Sequence, residues 1–596
     1  MIKVRFLPSE KTVEVPSGNS ILQAAIAAGE QIESTCGGQG TCGKCKVKIV
    51  SPPQPAERVL ACRYSLLEDT VVELPEAKEV NERKLGFSEV VKNVPVTVSI
   101  RKYLVNVPPA TVTDQTSDWE RLLSVLPFAD IPFSRRVAAN LPKTLRREHD
   151  QVTVVMEGNE ILAVESGDTR ERSFGLAVDV GTTTLVVHLL DLLKGTVVGS
   201  GADTNPQQVF GADVISRISH AAGNPDGLRQ LQQRVRDGLN NIIAKLSKDA
   251  RVQREEIYQG VVVGNTTMSH LFLGIDPAYL APSPFVPAFR QLVEVEAGEL
   301  GINILSTGRV TVLPNVAGYV GSDTVGVMLA AGVDRLKGIN LIIDIGTNGE
   351  IILAGKNKII TCSTAAGPAF EGAEIKYGMR AAQGAIEGVR IVEDVELEII
   401  AGGKPRGICG SGLIDAIAEM VRTGIIDPSG RLAGADNVSQ KLPPLVRKRL
   451  RQTEQGREFI LVRSEDSAIG EDIVLTQKDI RELQLAKGAI LAGSRILLRE
   501  MEVEVEEIDQ VLLAGAFGNY IKKESAQRIG LLPPIPLEHI ISIGNAACEG
   551  AKLALLAGEE RARAVSLAKQ AVHIELSGKE GFQQEFIRSL SLGAGN

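Results

Sequence analysis

LAVDVGTTTLVVHLLD, residues 176–191, and LIIDIGTNGEIILA, residues 341–354, are two versions of one design. In each, an apolar run carries an aspartate near its end, a Gly-Thr turn follows, and a second apolar run leads away. Short apolar runs bounded by such turns read as buried strands, so each segment is expected to be a strand-turn-strand hairpin with polar atoms at one tip. The recurrence points to internal duplication. Gly181 and Gly346 would let backbone N–H groups approach phosphate oxygens, and Thr182, Thr183, Thr347 and Asn348 add side-chain donors. Asp179 and Asp344 are suited to hold magnesium through its waters, the usual way that ion is bound beside a nucleotide.

A third segment, IDQVLLAGAFGNYI at 508–521, has a buried strand followed by Gly515, Ala516, Phe517 and Gly518, a turn open enough for a purine or its ribose to lie against backbone. Taken singly, each of the three also reads as an ordinary turn or a close-packing loop. Four more polar-glycine stretches lie between them: VVVGNTTMSH (261–270), NVAGYVGSDT (315–324), STAAGPAFEG (363–372) and GICGSGLID (407–415). They suit loops lining a cleft, with Asn265, Asp323 or Glu371 placed to orient water or magnesium, and ordinary tight turns explain each of them equally well. Cys362, Cys409 and His270 have no ligand-spaced partners and read as core residues. Beyond residue 173, apolar strands alternate with helical patterns, as in α/β folds with largely parallel sheets. One helix is well marked: Thr476 and Asp479 form a capping-box-like start, and Ile480, Leu483, Lys487, Ile490 and Leu497 follow at helical spacing.

The N-terminal part has a different character. Strands at 2–6 and 12–15 and a helix over about 20–28 ending at Gly29 precede a loop with the spacing Cys36-x5-Cys42-x2-Cys45-x16-Cys62. Four thiolates complete the coordination of a two-iron cluster, and the interleaved glycines let backbone N–H groups approach the sulfurs. Structural zinc is the alternative, but zinc modules usually present two closely spaced cysteine pairs, and only Cys42 and Cys45 are so paired. From about 86 to 112, Pro95, Pro108 and Pro109 interrupt β-rich stretches, which suits an extended connection. A short helix with Trp119 and a hairpin, QVTVVME-GN-EILAVE, then read as a small middle domain.

The chain of 596 residues is about four times the usual domain length, so several units are expected. Apolar residues make up 44% and charged residues 23%, which excludes wholesale disorder, and the net charge of -8 argues against nucleic acid as a partner. The N-terminus lacks a signal-peptide core and no apolar run is long enough to span a membrane, so a cytoplasmic location and no membrane partner are expected.

Three resemblances follow from these residues. The ESTCGGQGTCGKCKVKIV loop and the elements before it resemble plant- and adrenodoxin-type [2Fe-2S] ferredoxins; the last cysteine spacing is shorter than in many of them. The three glycine turns, in their order, resemble the phosphate-1, phosphate-2 and adenosine motifs of the actin, sugar kinase and heat-shock chaperone ATPase superfamily, which holds ATP between duplicated lobes. The whole layout resembles the ATP-dependent reductive activators of corrinoid proteins, with NPQQVFGADVISRI, DIGTNGEI, AAGPAFEG, TQKDIRELQLAKGAI and LLAGAFGN similar to their signature blocks. That resemblance implies a β-grasp ferredoxin domain over 1–85, a linker over 86–112, a small middle domain over 113–172 and a ribonuclease-H-like two-lobed ATPase domain over 173–596, with lobes at about 173–335 and 336–596. It also implies Cys36, Cys42, Cys45 and Cys62 as ligands of one [2Fe-2S] cluster, ATP and Mg2+ as further cofactors, and reduction of a Co(II) corrinoid to Co(I) with a low-potential electron donor upstream. A homodimer is compatible with it. Some relatives carry C-terminal [4Fe-4S] clusters; here only Cys362, Cys409 and Cys548 remain after Cys62, too few for another such site. Other classes consistent with the ATPase motifs are a sugar or acyl kinase with a redox-regulating ferredoxin domain, a chaperone-like switch and an activator of a radical dehydratase.

Overall fold

The computed structural model describes residues 1–30, 32, 40, 45–50, 57–75, 96–147, 151–372, 374–434, 442–515, 518 and 520–593. The first unit is a five-stranded sheet in the order Lys11–Val15, Ile2–Leu7, Thr70–Glu73, Lys46–Ile49, Glu57–Leu60. Alternation along Ile2–Leu7 turns Ile2, Val4 and Phe6 inward, where they share a core with Ile21, Leu22 and Ala25 of helix Ile21–Ala28. Ser20 caps that helix, accepting from Gln23 N at 3.2 Å, and Gly29 ends it in the left-handed region at φ 71°. The parallel pairing of Ile2–Leu7 with Thr70–Glu73, inside otherwise antiparallel hairpins, is the β-grasp arrangement.

The middle unit is an antiparallel sheet of Ile100–Asn106, Gln151–Glu157 and Glu160–Ser166, covered by helices Asp118–Ser124, Arg135–Ala138 and Leu141–Leu145. Residues 100–106, read from sequence as part of an extended connection, pair with Gln151–Glu157 along their whole length. The prolines at 95 and 108–109 lie outside the strand, so they delimit it and remove none of its hydrogen bonds. Lys102 braces the unit from within, donating to Glu165 Oε2 at 2.9 Å and to the carbonyls of Thr169 and Arg172. The unit is fastened to the rest of the chain by Tyr258, which donates to Glu165 Oε1 at 2.5 Å, and by Thr307, which donates to Leu162 O at 2.6 Å.

The large unit holds two six-stranded sheets built on one plan, beside two small three-stranded ones. In one, strands run Thr196–Thr204, Thr184–Asp191, Phe174–Val180, Ile257–Gly264; in the other, Lys358–Thr364, Gly349–Gly355, Ile339–Ile345, Ile508–Ala514. In each, these four strands have the order third, second, first, fourth, with only the last of their pairs parallel, and two more strands complete the sheet. The sheets are mixed, where the alternation of strands and helices suggested largely parallel ones. The turn over 181–183 explains it: three residues reverse the chain and leave no length for the crossover that a parallel pair needs.

Between the sheets lies a shared core in which Ala177, Val186 and Val261 of one meet Ile342, Ile352 and Leu512 of the other through helices Ser322–Ala331 and Ala546–Leu556. These helices cross at glycines. A Cβ on Gly550 would lie 2.1 Å from Gly326 O, and one on Gly326 would lie 2.6 Å from Ala547 O, so any side chain here would force the helices apart. No described helix is long and apolar enough to cross a membrane.

Candidate functional site

The tips of the two duplicated hairpins face each other across a cleft of about 300 Å³. At the first tip, Gly181 N donates to Thr184 O at 3.0 Å, and a Cβ at Gly181 would stand 2.6 Å from that oxygen, so the turn itself demands glycine. At the second, Gly346 N donates to Asn348 O at 3.0 Å, but a Cβ at Gly346 would sit at an ordinary 3.5 Å from its nearest neighbour. Chain packing does not require glycine at 346; open backbone facing the cleft is what a side chain there would cover.

The first turn is braced from behind by NPQQVFGADVISRI. Asn205 Nδ2 donates to Gly181 O at 2.8 Å, Arg217 Nη2 to Thr182 O at 2.5 Å, and Gln208 Nε2 to Thr183 O at 3.3 Å. All three carbonyls of the turn are thus held by one block. Arg217 is fully buried and meets carbonyl and amide oxygens, with burial lowering its pKa to about 9. Sequence reading flagged this block without seeing its task, because none of its polar residues faces the cleft.

With their backbones fixed, the tips present hydroxyls to one another. Thr183 Oγ1 and Thr347 Oγ1 stand 3.1 Å apart, and both donate to Glu371: Thr183 to Oε2 at 2.7 Å and Thr347 to Oε1 at 2.5 Å. One carboxylate therefore ties the two lobes together, accepting from the groups expected to donate to phosphate. Asn265, N-cap of helix Thr266–Leu273, donates to Thr182 Oγ1 at 2.8 Å.

Beneath the tips lie carboxyl groups that raise one another's pKa values. Burial, reinforced by the charge of Asp323, pushes Asp179 up to about 7; burial with Asp323 and Asp179 pushes Asp344 up to about 8. Burial brings Asp323 to about 6 and, with Asp323 and Asp344, holds Glu350 well above its ordinary value. Asn545 Nδ2 donates to Asp179 Oδ2 at 3.1 Å. Such a set favours a hard divalent cation, which would remove the mutual repulsion. Among the described residues no three His, Cys, Asp or Glu side chains converge closely enough to hold an ion by themselves.

Of the third turn, Gly515 lines the cleft at φ 92°, and a Cβ there would strike Ile345 O at 2.6 Å and Asp344 Oδ1 at 2.8 Å. Gly518 sits behind it, donating to Gly515 O at 3.1 Å and accepting from Ser542 Oγ at 2.9 Å. Ala516 and Phe517 lie outside the described residues. Glu350, Arg380, Tyr520 and Asn545 line the cleft without having been singled out from sequence. Glu350 was the accessible one: hairpin register sets it opposite Asp344, at the place held by Val186 opposite Asp179 in the first copy.

His270 is structural, as expected. Its Nδ1 lies 2.7 Å from Thr266 O, its Nε2 accepts from Ala288 N at 3.0 Å, and burial depresses its pKa. Cys362 and Cys548 are buried thiols pushed well up by their surroundings, and Cys409 is buried at the N-terminus of helix Gly410–Arg422. In the N-terminal unit the Cys45 and Cys62 sulfurs converge to 3.3 Å, while Cys36 and Cys42 lie outside the described residues. Two thiols drawn together from sequence positions so far apart fit a shared metal centre.

Known families and proteins agree with this geometry along the chain. Residues 4–66 match the 2Fe-2S iron-sulfur cluster binding domain, 90–171 the RACo linker region, 174–336 the RACo middle region, and 338–595 the C-terminal domain of RACo, the ASKHA domain. The corrinoid activation enzyme RamQ of Eubacterium limosum is 32% identical over 99% of both chains. The [Co(II) methylated amine-specific corrinoid protein] reductase of Methanosarcina barkeri is 29% identical over 70% of this chain and 77% of its own. A solved structure described as a reductive activator for corrinoid, iron-sulfur protein is 37% identical, covers 99% of this chain and 98% of its own, and superposes with a TM-score of 0.75.

Proposed function

The chain belongs to the RACo family of corrinoid-activating enzymes, and from that premise we propose that it reduces the Co(II) corrinoid of a partner protein to Co(I), adding one electron in a step made productive by ATP. Cys36, Cys42, Cys45 and Cys62 hold a [2Fe-2S] cluster, which supplies one-electron transfer when bound. The protein works in the cytoplasm with a low-potential donor upstream. Its units divide near residues 85 and 172, with strand Ile100–Asn106 belonging to the middle unit and ATPase lobes over about 173–335 and 336–596.

The observation that carries the ATP half is the meeting of Thr183 and Thr347 on Glu371. A triphosphate entering the cleft brings more acceptor oxygens and more charge than one carboxylate, so it displaces Glu371 from the two threonines. Asp179 and Asp344 then hold Mg2+ through water against the phosphates, and Gly181, Thr182, Gly346 and Asn348 line the phosphate path. Gly515, Ala516, Phe517 and Gly518 flank the nucleoside. Because the displaced contact joins the lobes, the nucleotide selects between lobe arrangements, and a partner that binds one arrangement more tightly gains from it.

The test is anaerobic mixing of the reduced protein with a Co(II) corrinoid protein, with ATP, with ADP and without nucleotide, followed by visible spectroscopy. Co(I) should accumulate in the ATP arm. Equal Co(I) in all three arms would refute the ATP dependence, and a phosphorylated small molecule in place of Co(I) would mark a kinase.

A further inference from the structure

The cleft has a charge problem that the residues discussed so far do not solve. Asp179, Asp323, Asp344, Glu350 and Glu371 all line it, and Arg380 is the one cationic side chain among the described lining residues. A nucleotide adds several negative charges to this site. Magnesium offsets part of them, and a guanidinium facing the same space is the remaining source of positive charge.

Arg380 is placed to supply it. It lies in the second lobe, beside the bridge between Gly378 and Ile408, and reaches across to the first. There Nη1 donates to Thr204 Oγ1, and Nη2 donates to Gln208 Oε1 at 3.3 Å. Both acceptors are neutral, so the guanidinium charge is not matched by either hydrogen-bond partner. Gln208 is also a brace of the first phosphate turn, donating through Nε2 to Thr183 O at 3.3 Å. The guanidinium is therefore parked on the same side chain that fixes Thr183, whose hydroxyl faces the cleft.

We propose that Arg380 binds the phosphate chain of the nucleotide, exchanging a neutral acceptor for phosphate oxygens; this rests on the ATP use proposed above. A planar guanidinium suits the exchange because it is weakly hydrated and its paired N–H groups match phosphate geometry. The present bonds have an ionised donor alone, whereas phosphate makes both partners ionised and can accept two parallel N–H groups, so the exchange favours the bound state. The contact also comes from the lobe opposite Gln208, so the arginine closes on phosphate only when the lobes are together.

The experiment compares adenosine, ADP and Mg-ATP binding to the wild-type full chain, Arg380→Gln and Arg380→Lys by calorimetry, with iron content and circular dichroism confirming that each variant is folded. Arg380→Gln should bind ADP and ATP about ten- to a hundredfold more weakly, while adenosine affinity stays the same. Arg380→Lys keeps the charge without the fork and should fall between. A role confined to clasping Thr204 and Gln208 would shift all three ligands together, and that result, or unchanged ATP affinity in Arg380→Gln, overturns the proposal. Wild-type protein that binds no ATP would instead remove the premise and the proposal with it.

Discussion

Replacing Asp344 with Asn should make the metal-free protein more stable and inactive at once. The stability half follows from proton linkage. Asp344 is pushed from 3.8 to about 8 by burial and by Asp323 and Asp179. Below about pH 4 the group is protonated in folded and unfolded chains alike and contributes no difference. Between about pH 4 and 8 the unfolded chain gives up the proton and the folded cleft keeps it, so stability falls as the pH rises; above about 8 both are ionised and the penalty is complete. Taken at face value the rise is an upper bound of about 6 kcal/mol. The repulsion is shared among coupled acids, so removing one of them should recover about 1–3 kcal/mol. Asn keeps the shape and discards the charge. Calorimetry in EDTA at pH 8.5 should show the lobe transition of Asp344→Asn a few degrees above wild type, and no gain at pH 4.5. The single tryptophan, Trp119, lies in the middle unit and identifies that unit's transition separately. Mg-ATP should close the gap by stabilising only the wild type, and the variant should not hydrolyse ATP. A variant no more stable than wild type at pH 8.5, or one that hydrolyses ATP normally, would refute the account of these acids as a site awaiting a cation.

Two further expectations concern contacts between parts. Glu371→Gln leaves one acceptor oxygen where Thr183 and Thr347 now find two, so ATP should meet a weaker competitor and bind a few-fold more tightly, about 1 kcal/mol; calorimetry reading unchanged or weaker binding would count against the displacement. Arg234 Nη2 donates to Ile26 O at 2.7 Å, joining helix Gly227–Ala250 to the end of the ferredoxin helix. Arg234→Ala should keep iron content and ATP hydrolysis within about twofold while lowering ATP-dependent Co(I) formation, and a full Co(I) rate would show that this seat does not matter; the contact is single and partly exposed, so the expected loss is a few-fold.

What could be read from sequence was what repeats or what is local. The Asp and Gly-Thr turns at 179–183 and 344–348 stood out because one hairpin design occurs twice, and the cap at Thr476 because capping needs only four consecutive residues. The antiparallel hairpins were readable in principle from the length of the turn at 181–183, but the alternation of strands with helices drew attention to the parallel pairs, which are the other part of these mixed sheets. Contacts between distant segments were closed to such reading. Nothing in KYGMRAA marks Arg380 as a cleft residue, since its partners Thr204 and Gln208 lie in the other lobe. Gly326 and Gly550 look like any helix glycines until the two helices are seen to cross through them.

The coupling of the two halves must be an energetic one, because the Asp179 and Asp344 cleft and the Cys45 and Cys62 pair lie in different units. ATP can change the yield of an electron transfer only by binding one arrangement of the chain better than another. The proposed displacement would supply such an element: Glu371 bridges Thr183 and Thr347 in the structure, and a phosphate accepting the same hydroxyl protons would exclude it. The same turn rests on a block that continues toward the ferredoxin unit. Arg217 holds Thr182 O and donates to Gln207 Oε1 at 3.0 Å, Gln207 Nε2 donates to Leu231 O at 3.0 Å, and one turn along that helix Arg234 holds Ile26 O. Ile26 lies one turn from Gly29, where the helix ends and the chain runs on toward Cys36. A displacement at Thr183 that shifts this braced block would reach the helix leading into the cysteine loop without requiring either unit to unfold.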